Sequence, residues 1–236
     1  MSDSLIIIPT FNEKENVEKM ARKLMSLDKE YHVLFVDDSS PDGTAKIIQT
    51  IQNEFPERVF LEQRLGKDGL GTAYIHGFKT ALKSNYEYIF EMDCDFSHNP
   101  DDLIRLYSSC IDGADLSIGS RYCRGGKVQN WPFKRIMMSY FASVYVRMIL
   151  WIGIKDTTAG FKCYRRLVLE KINLDGITFK GYAFQVCMKY AAKKHGFNIK
   201  EIPIIFVDRE LGESKMSTGI FKEAFFGVWK MRSMNL

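Results

Sequence analysis

Leu5-Ile6-Ile7-Ile8-Pro9-Thr10-Phe11-Asn12-Glu13 is the stretch on which the fold turns. Four successive aliphatic residues with no polar alternate suit a strand buried on both faces. A polar and aromatic cluster follows at once. The same arrangement recurs along the first half of the chain. Residues 31–37, 59–63, 86–93 and 114–120 read as further short β-type runs. Polar groups gather where these runs end: Asp37-Asp38-Ser39-Ser40, Asp93-Cys94-Asp95 and Ser120-Arg121. Helical patterns fill the intervals at 13–27, 44–55, 71–83 and 101–111. Strand–helix alternation predicts an α/β fold with a parallel sheet and right-handed crossovers. In such sheets functional atoms collect at the carboxyl ends of the strands, where these clusters stand.

The second half is less regular. A glycine-rich turn, Arg124-Gly125-Gly126-Lys127, leads to Trp131 and a long apolar helix over 133–152. Another helix is expected over 181–195 and a strand over 198–207. The segment 219–232 is amphipathic, with Ile220, Phe221, Ala224, Phe225, Val228 and Trp229 on one helical stripe. No internal repeat or low-complexity linker divides the 236 residues. The chain therefore reads as one catalytic-size domain over 1–236, with a first half to residue 120 and a second from 121.

Composition is that of an ordinary folded protein, 46% hydrophobic and 26% charged. Five scattered cysteines without CxxC spacing exclude a disulfide framework and a structural zinc site, and fit a reducing cytoplasm. The start, Met-Ser-Asp-Ser, lacks the features of a signal peptide. The nearest approach to a membrane span, 136–154, is interrupted by Arg147. Charge is unevenly spread. Residues 121–166 hold ten basic side chains and one acid, net +9 against +4 for the chain, which leaves −5 for the rest. A basic, apolar segment on an acidic body points to phosphates or an anionic membrane, not to nucleic acid in particular.

Asp93-Cys94-Asp95 carries the sharpest chemical signal. Two carboxylates flanking one residue at a strand end are costly to hold as anions, and a divalent cation relieves them. Hard oxygen ligands suit Mg²⁺ or Mn²⁺, which can bridge to a diphosphate. A pair of turn aspartates ahead of a helix at Pro100 is the structural alternative. The run Asp37 to Thr44 has two readings as well: a turn with a helix N-cap, or a carboxylate that accepts from a base or ribose. Gly66-Lys67-Asp68-Gly69-Leu70-Gly71 lacks the ending of a P-loop and the spacing of a dinucleotide fingerprint, so its glycines shape a turn. The missing fingerprint after the first strand counts against a dehydrogenase. The four histidines and five cysteines form no ligand or nucleophile pattern.

Taken in order, several segments resemble one family. They are Pro9–Glu13, Val36–Thr44, Gly69-Leu70-Gly71, Met92–His98, Ile118–Tyr122, Gly125–Pro132, Ala159-Gly160-Phe161, Gly181–Gln185 and Val207–Met216. The chain resembles the polyprenyl-phosphate (dolichyl-phosphate) mannose synthases of glycosyltransferase family 2 over nearly its whole length. The resemblance implies a GT-A, Rossmann-like fold: a mixed, mainly parallel sheet flanked by helices, with C-terminal amphipathic helices. It implies inverting transfer of mannose from GDP-mannose to a polyprenyl phosphate, with Mg²⁺ or Mn²⁺ as cofactor. Residues 1–120 would bind the nucleotide sugar and 121–236 the acceptor.

Roles carry over by position. Pro9, Phe11, Glu13, Val36 and Asp38 would line the base and ribose pocket. Asp93 and Asp95 would hold the metal, with Ser97 nearby and the Cys94 backbone against the donor. Arg121 and Arg209 would face the donor diphosphate or the acceptor phosphate. Arg135 and Ser139 would contact the acceptor phosphate, and Lys215 would close over the site. Two positions depart from the family pattern: Phe11 stands for the usual Tyr, and Phe184-Gln185-Val186-Cys187 lacks the Glu of Phe-Gln-x-Glu. A phosphate monoester is largely dianionic at neutral pH, so it can attack without a protein base.

A polyprenyl acceptor requires work at a bilayer, and 133–152 and 219–232 fit interfacial helices. The expectation is a peripheral enzyme at the cytoplasmic face of a membrane, with an oligomer or an anchoring partner possible. Two other readings stand beside it. One is the same reaction with UDP-glucose or another nucleotide sugar. The other is a non-catalytic nucleotide-sugar-binding protein, supported by Cys187 alone.

Overall fold

The computed structural model describes residues 2–208 and 218–236. Strands β1 (Ser4–Thr10), β2 (His32–Asp37), β3 (Val59–Gln63), β4 (Tyr88–Glu91) and β5 (Leu116–Ser120) alternate with helices α1 (Val17–Met25), α2 (Thr44–Glu54), α3 (Leu70–Leu82) and α4 (Leu103–Ile111). The second half adds β6 (Lys127–Gln129), α5 (Phe133–Leu150), β7 (Lys162–Arg165), α6 (Arg166–Lys171), α7 (Tyr182–Lys194), β8 (Ile199–Pro203), β9 (Ile205–Val207) and α8 (Thr218–Met231). Seven strands form one sheet in the order β3-β2-β1-β4-β7-β5-β8, and β6 pairs with β9 in a two-stranded parallel ribbon. The large sheet draws strands from both halves of the chain.

The apolar run that opens the chain behaves as its composition requires. Leu5 and Ile7 enter one hydrophobic cluster, with α3, α5 and α7. Ile6 and Ile8 enter the other, with α1, α2 and α4. β1 therefore carries aliphatic side chains on both faces because both faces are covered. Leu34 and Val36 on β2 face the first cluster, and Val33 and Phe35 the second.

Helix starts follow local chemistry. Gly43, at φ 94°, turns the chain into α2. The Asp42 carboxylate, just ahead of the helix, accepts from the Thr44 backbone N–H at 3.0 Å and its hydroxyl at 2.7 Å. Gly71 belongs to a packing contact: a Cβ there would sit 2.3 Å from the Phe179 carbonyl oxygen, and its N–H donates to the Lys180 carbonyl. The glycine-rich segment before α3 thus serves helix packing, as a turn reading requires.

Two features depart from the strand–helix reading. The parallel pattern of the first half is broken by β7, which runs antiparallel to both β4 and β5 and gives the mixed, mainly parallel sheet that the resemblance implied. Its sequence, Lys-Cys-Tyr-Arg, is too short and too charged to read as a central strand. The single strand expected over 198–207 is two: β8 joins the large sheet and β9 the ribbon, split at Ile204. The glycine-rich turn leads directly into β6 at Lys127.

Candidate active site

The carboxyl ends of β1, β2, β4 and β5 lie along one edge of the sheet. Because β7 is antiparallel, its entry segment Thr158-Ala159-Gly160 reaches that same edge. A cavity of about 170 Å³ opens there. Asp93, Ser97 and His98 line one side; Arg121, Trp131, Arg135 and Ser139 line another; Gly160, Tyr182 and Gln185 complete the floor. The structure thus brings together the β4 carboxylate and the two α5 residues expected at an acceptor.

Asp93 reaches the cavity with its carboxylate partly exposed, and Tyr74 donates to its Oδ1 at 3.4 Å. Burial first, and the Asp93 charge second, push the Tyr74 phenol far above its ordinary range, which keeps it a donor. Asp95 is buried. Its Oδ1 accepts from the Ser97 backbone N–H at 3.1 Å and from the Ser97 hydroxyl at 2.5 Å. Cys94 is buried in the second cluster. His98 supports this turn. Its Nδ1 accepts from the Asp93 backbone N–H at 3.3 Å, and its ring stacks on Phe161 at 5.1 Å. Burial pushes His98 down to about 4; Asp95 opposes that shift and Arg121 adds to it. It is neutral at physiological pH.

Among the described residues no group of three or more His, Cys, Asp or Glu could hold a metal by itself. Mg²⁺ is commonly held by one or two carboxylates plus substrate phosphates and water, so a two-carboxylate set suffices. The donor chemistry fits: Asp93 and Asp95 offer hard oxygens and no thiolate.

Arg121 is committed more than its sequence position implied. Its Nε and Nη2 each bond Asp156 at 2.7 Å, Nη2 also donates to Thr158 at 2.8 Å, and its backbone N–H bonds Asp156 at 2.9 Å. Asp156 is wholly buried. Burial would raise that carboxyl, but the Arg121 charge and hydrogen bonds outweigh it and hold Asp156 below the usual range. Three rings, Tyr122, Trp131 and Phe206, surround the guanidinium at 5.3–5.5 Å. Arg121 is therefore fixed at the cavity wall, with its charge answered by Asp156 and its bidentate fork already spent there.

Arg135 lies across the Trp131 ring at 4.0 Å, and its Nη1 bonds both oxygens of Asp208 at 3.0 Å. Arg209 and Lys215 lie outside the described residues.

The expected base pocket occupies the β1–β2 end of the edge. Asp38 is held by Arg64 in a bidentate pair at 2.6 and 2.7 Å. Its neighbour Asp37 is structural: it accepts from Thr10 and from the Ser40 hydroxyl and N–H. Phe11 carries Lys67 over its ring at 4.3 Å. Glu13 accepts from Asn16 at 3.0 Å. Pro9 is partly exposed at the end of β1. Val36 is fully enclosed in the core, so it supports this pocket from beneath rather than presenting a side chain to it.

Cys187 is not in the cavity. It is fully buried on the core face of α7, and burial pushes its thiol up to about 12. Glutamate at 187 would place a carboxylate among hydrocarbons, not beside a substrate. We expect Cys187→Glu to cost about 3 kcal/mol or more in folding stability, as an unpaired buried charge does. Chemical denaturation checks it, and a thousandfold gain in transfer activity would restore a catalytic role to that position.

Sequence reasoning gave no role to Asp156, Thr158, Gln185 or Lys189. Lys189 is wholly buried and donates to the carbonyls of Thr157 (3.0 Å), Ala159 (2.6 Å) and Gln185 (3.2 Å). It thereby fixes the segment entering β7. For Gln185 the available signal was the segment Gly181–Gln185, which carries the family resemblance without assigning a role; Asp156, Thr158 and Lys189 lie outside the segments that carry it.

Known proteins match this architecture. The glycosyl transferase family 2 model matches residues 5–173. The polyprenol monophosphomannose synthase of Mycolicibacterium smegmatis is 46% identical over 97% of this chain and 87% of its own length. The undecaprenyl-phosphate mannosyltransferase of Micrococcus luteus is 47% identical over 95% of this chain and 91% of its own. Glucosyl-3-phosphoglycerate synthase of Mycobacterium tuberculosis, solved with Mn²⁺, UDP and glucosyl-3-phosphoglycerate, superposes with a TM-score of 0.68. It is 12% identical, over 97% of this chain and 78% of that one, and so bears on the fold alone. The chain belongs to glycosyltransferase family 2, among the polyprenyl-phosphate mannose synthases.

Proposed function

We propose that this protein transfers mannose from GDP-mannose to a polyprenyl phosphate, with inversion, using Mg²⁺ or Mn²⁺ at Asp93 and Asp95. The observation that carries the reading is the cavity itself, which brings Asp93, just after β4, together with Arg121, Arg135 and Ser139. The names of the two relatives supply the sugar and the acceptor class.

In this reading an oxygen of the acceptor phosphate attacks the anomeric carbon as the bond to the donor diphosphate breaks. The nucleoside diphosphate leaves with the electron pair. A dianionic phosphate needs no base, which agrees with the absence of a carboxylate at position 187. The chain's part is alignment and charge. Arg135 and Ser139 hold the acceptor phosphate from α5, beside Arg121, which Asp156 fixes at the cavity wall. Pro9, Phe11, Glu13 and Asp38 bound the base and ribose end. A divalent cation at Asp93 and Asp95 would neutralise charge developing on the leaving diphosphate. Arg209 and Lys215 are assigned to the same anionic ligands by position alone. Residues 1–120 supply the nucleotide end of the donor site and 121–236 the acceptor site.

The acceptor's lipid tail gives meaning to the neighbouring surface. Phe133, Met138, Tyr140, Phe141 and Met148 are exposed along α5, and Trp151 follows at 86% exposure. α8 adds exposed Phe225, Phe226 and Trp229, while Val228 turns inward, so the expected single stripe divides between surface and core. Phe225 stacks on Tyr145 at 4.8 Å, and Trp229 donates to the Tyr145 hydroxyl at 2.9 Å, which joins the two helices. Among the described residues no helix is long and apolar enough to cross a membrane. We read this aromatic face as one that rests on the cytoplasmic leaflet.

Arg135→Ala tests the acceptor assignment. The KM for polyprenyl phosphate should rise about tenfold or more, the usual scale of a lost charge-assisted hydrogen bond, with GDP-mannose binding little changed. An unchanged acceptor KM would remove Arg135 from the site. Running GDP-mannose beside UDP-glucose in the same assay names the donor.

A further inference from the structure

Gln185 presents a problem of hydrogen bonding that the fold does not solve. The side chain is 2% exposed. Its Oε1 accepts from the Lys162 ammonium, which is itself paired with Glu91 at 3.0 Å. All three residues are buried. An ammonium group only donates, so the amide oxygen must face Lys162. The orientation of the amide is thereby chemically determined, and Nε2 must point the other way. That nitrogen is buried and, among the described residues, has no hydrogen-bond partner. A buried donor left unmade costs as much as several ordinary hydrogen bonds gain, so such a group calls for an explanation.

The surroundings of Nε2 supply one. It lies 3.5 Å from the point where a side chain on Gly160 would begin. Asp93 Oδ2 lies 3.9 Å from that point and His98 Cε1 3.7 Å. Gly160, Gln185, Asp93 and His98 all line the cavity. The bare glycine thus leaves a small space bounded by a fixed donor, a carboxylate and an aromatic edge. A sugar hydroxyl both donates and accepts, and it can satisfy Nε2 while donating to Asp93.

We propose that Gln185 Nε2, aimed by the buried Lys162–Glu91 pair, donates to a hydroxyl of the transferred sugar seated over Gly160. The assignment rests on the reading of this cavity as a nucleotide-sugar site. Gln185 then contributes to recognition of the sugar, and the Lys162–Glu91 pair positions it.

The test compares a nucleotide sugar with its own diphosphate, because only the former carries the hydroxyls. Gln185→Glu keeps an acceptor for Lys162 and removes the N–H donor. Gly160→Ala fills the proposed sugar space: its methyl would meet protein atoms only at ordinary contact distances, 3.5–3.9 Å, so the fold is expected to tolerate it. Thermal unfolding verifies that both variants are folded. Binding of GDP-mannose, GDP, UDP-glucose and UDP is then measured by calorimetry. In each variant the preference for the nucleotide sugar over its diphosphate should fall by about tenfold to hundredfold, the value of one hydrogen bond to a buried partner. An equal loss for sugar nucleotide and diphosphate would overturn the proposal and leave Gln185 as a strut for Lys162. Unchanged binding in both variants would overturn it as well. A wild-type protein that binds the UDP pair and not the GDP pair would contradict the donor assignment above, while the ratio within the UDP pair still decides Gln185.

Discussion

Asp95→Ala should lose transfer activity by at least about a thousandfold while the protein stays folded, the scale on which preorganised charge at a transfer site acts. The Asp93/Asp95 pair accounts for the size of the effect. If the two carboxylates share a cation against the leaving diphosphate, removing one leaves a single ligand at a site that already has few. The stability effect should be small by comparison. Asp95 loses two hydrogen bonds with Ser97, but its removal also relieves a neighbouring anion of like-charge repulsion. Turnover at fixed Mn²⁺ and the unfolding midpoint separate the two effects. Wild-type turnover in the folded variant would end the metal assignment.

Asp156→Ala has the largest expected effect on stability. Asp156 is wholly buried and answers the Arg121 guanidinium with both oxygens. Its own N–H donates to Glu201 Oε1 at 2.9 Å, and Ser120 donates to that same oxygen at 2.7 Å. Removing one partner of a buried pair strands the other charge, at a cost of about 3–5 kcal/mol. For a chain of this size each kcal/mol moves the melting temperature by about 2–4 °C, so a fall of about 10 °C is expected. Replacing Arg121 as well, in Arg121→Met/Asp156→Leu, should recover part of that loss, since the uncompensated charge is gone. A single variant that melts with the wild type would show that Arg121 finds other partners and that Asp156 does not set its position.

The first half of the fold was legible because its strands are buried on both faces. Apolar runs then mark them, and β2 at His32–Asp37, buried along its whole length, falls within the expected residues 31–37. β7 was not legible, because its pattern is decided by partners far away in sequence. Lys162 sits in the sheet interior only because Glu91, on the neighbouring strand, neutralises it. Burial pulls Lys162 below the ordinary lysine range, and Glu91 opposes that pull. A lysine in a four-residue run reads as surface until its carboxylate is known.

The candidate site divides in the same way. Polar clusters at strand ends announced Asp93, Asp95 and Arg121, since parallel strands place their carboxyl ends on one edge. The antiparallel return of β7 brings Gly160 to that edge from its amino end, which the parallel reading had no means to foresee. Cys187 illustrates the converse. As a missing carboxylate it looked like a catalytic defect, and its place on the buried face of α7 removes it from the chemistry.

The most direct measurement is transfer of radiolabelled mannose from GDP-mannose to polyprenyl phosphate in detergent, with Mg²⁺ or Mn²⁺ and with an EDTA control. The account predicts label in the organic phase that disappears when the metal is chelated. Label that persists in EDTA would contradict the role given to Asp93 and Asp95. No label in the lipid phase, from a protein that binds GDP-mannose, would contradict the reaction itself.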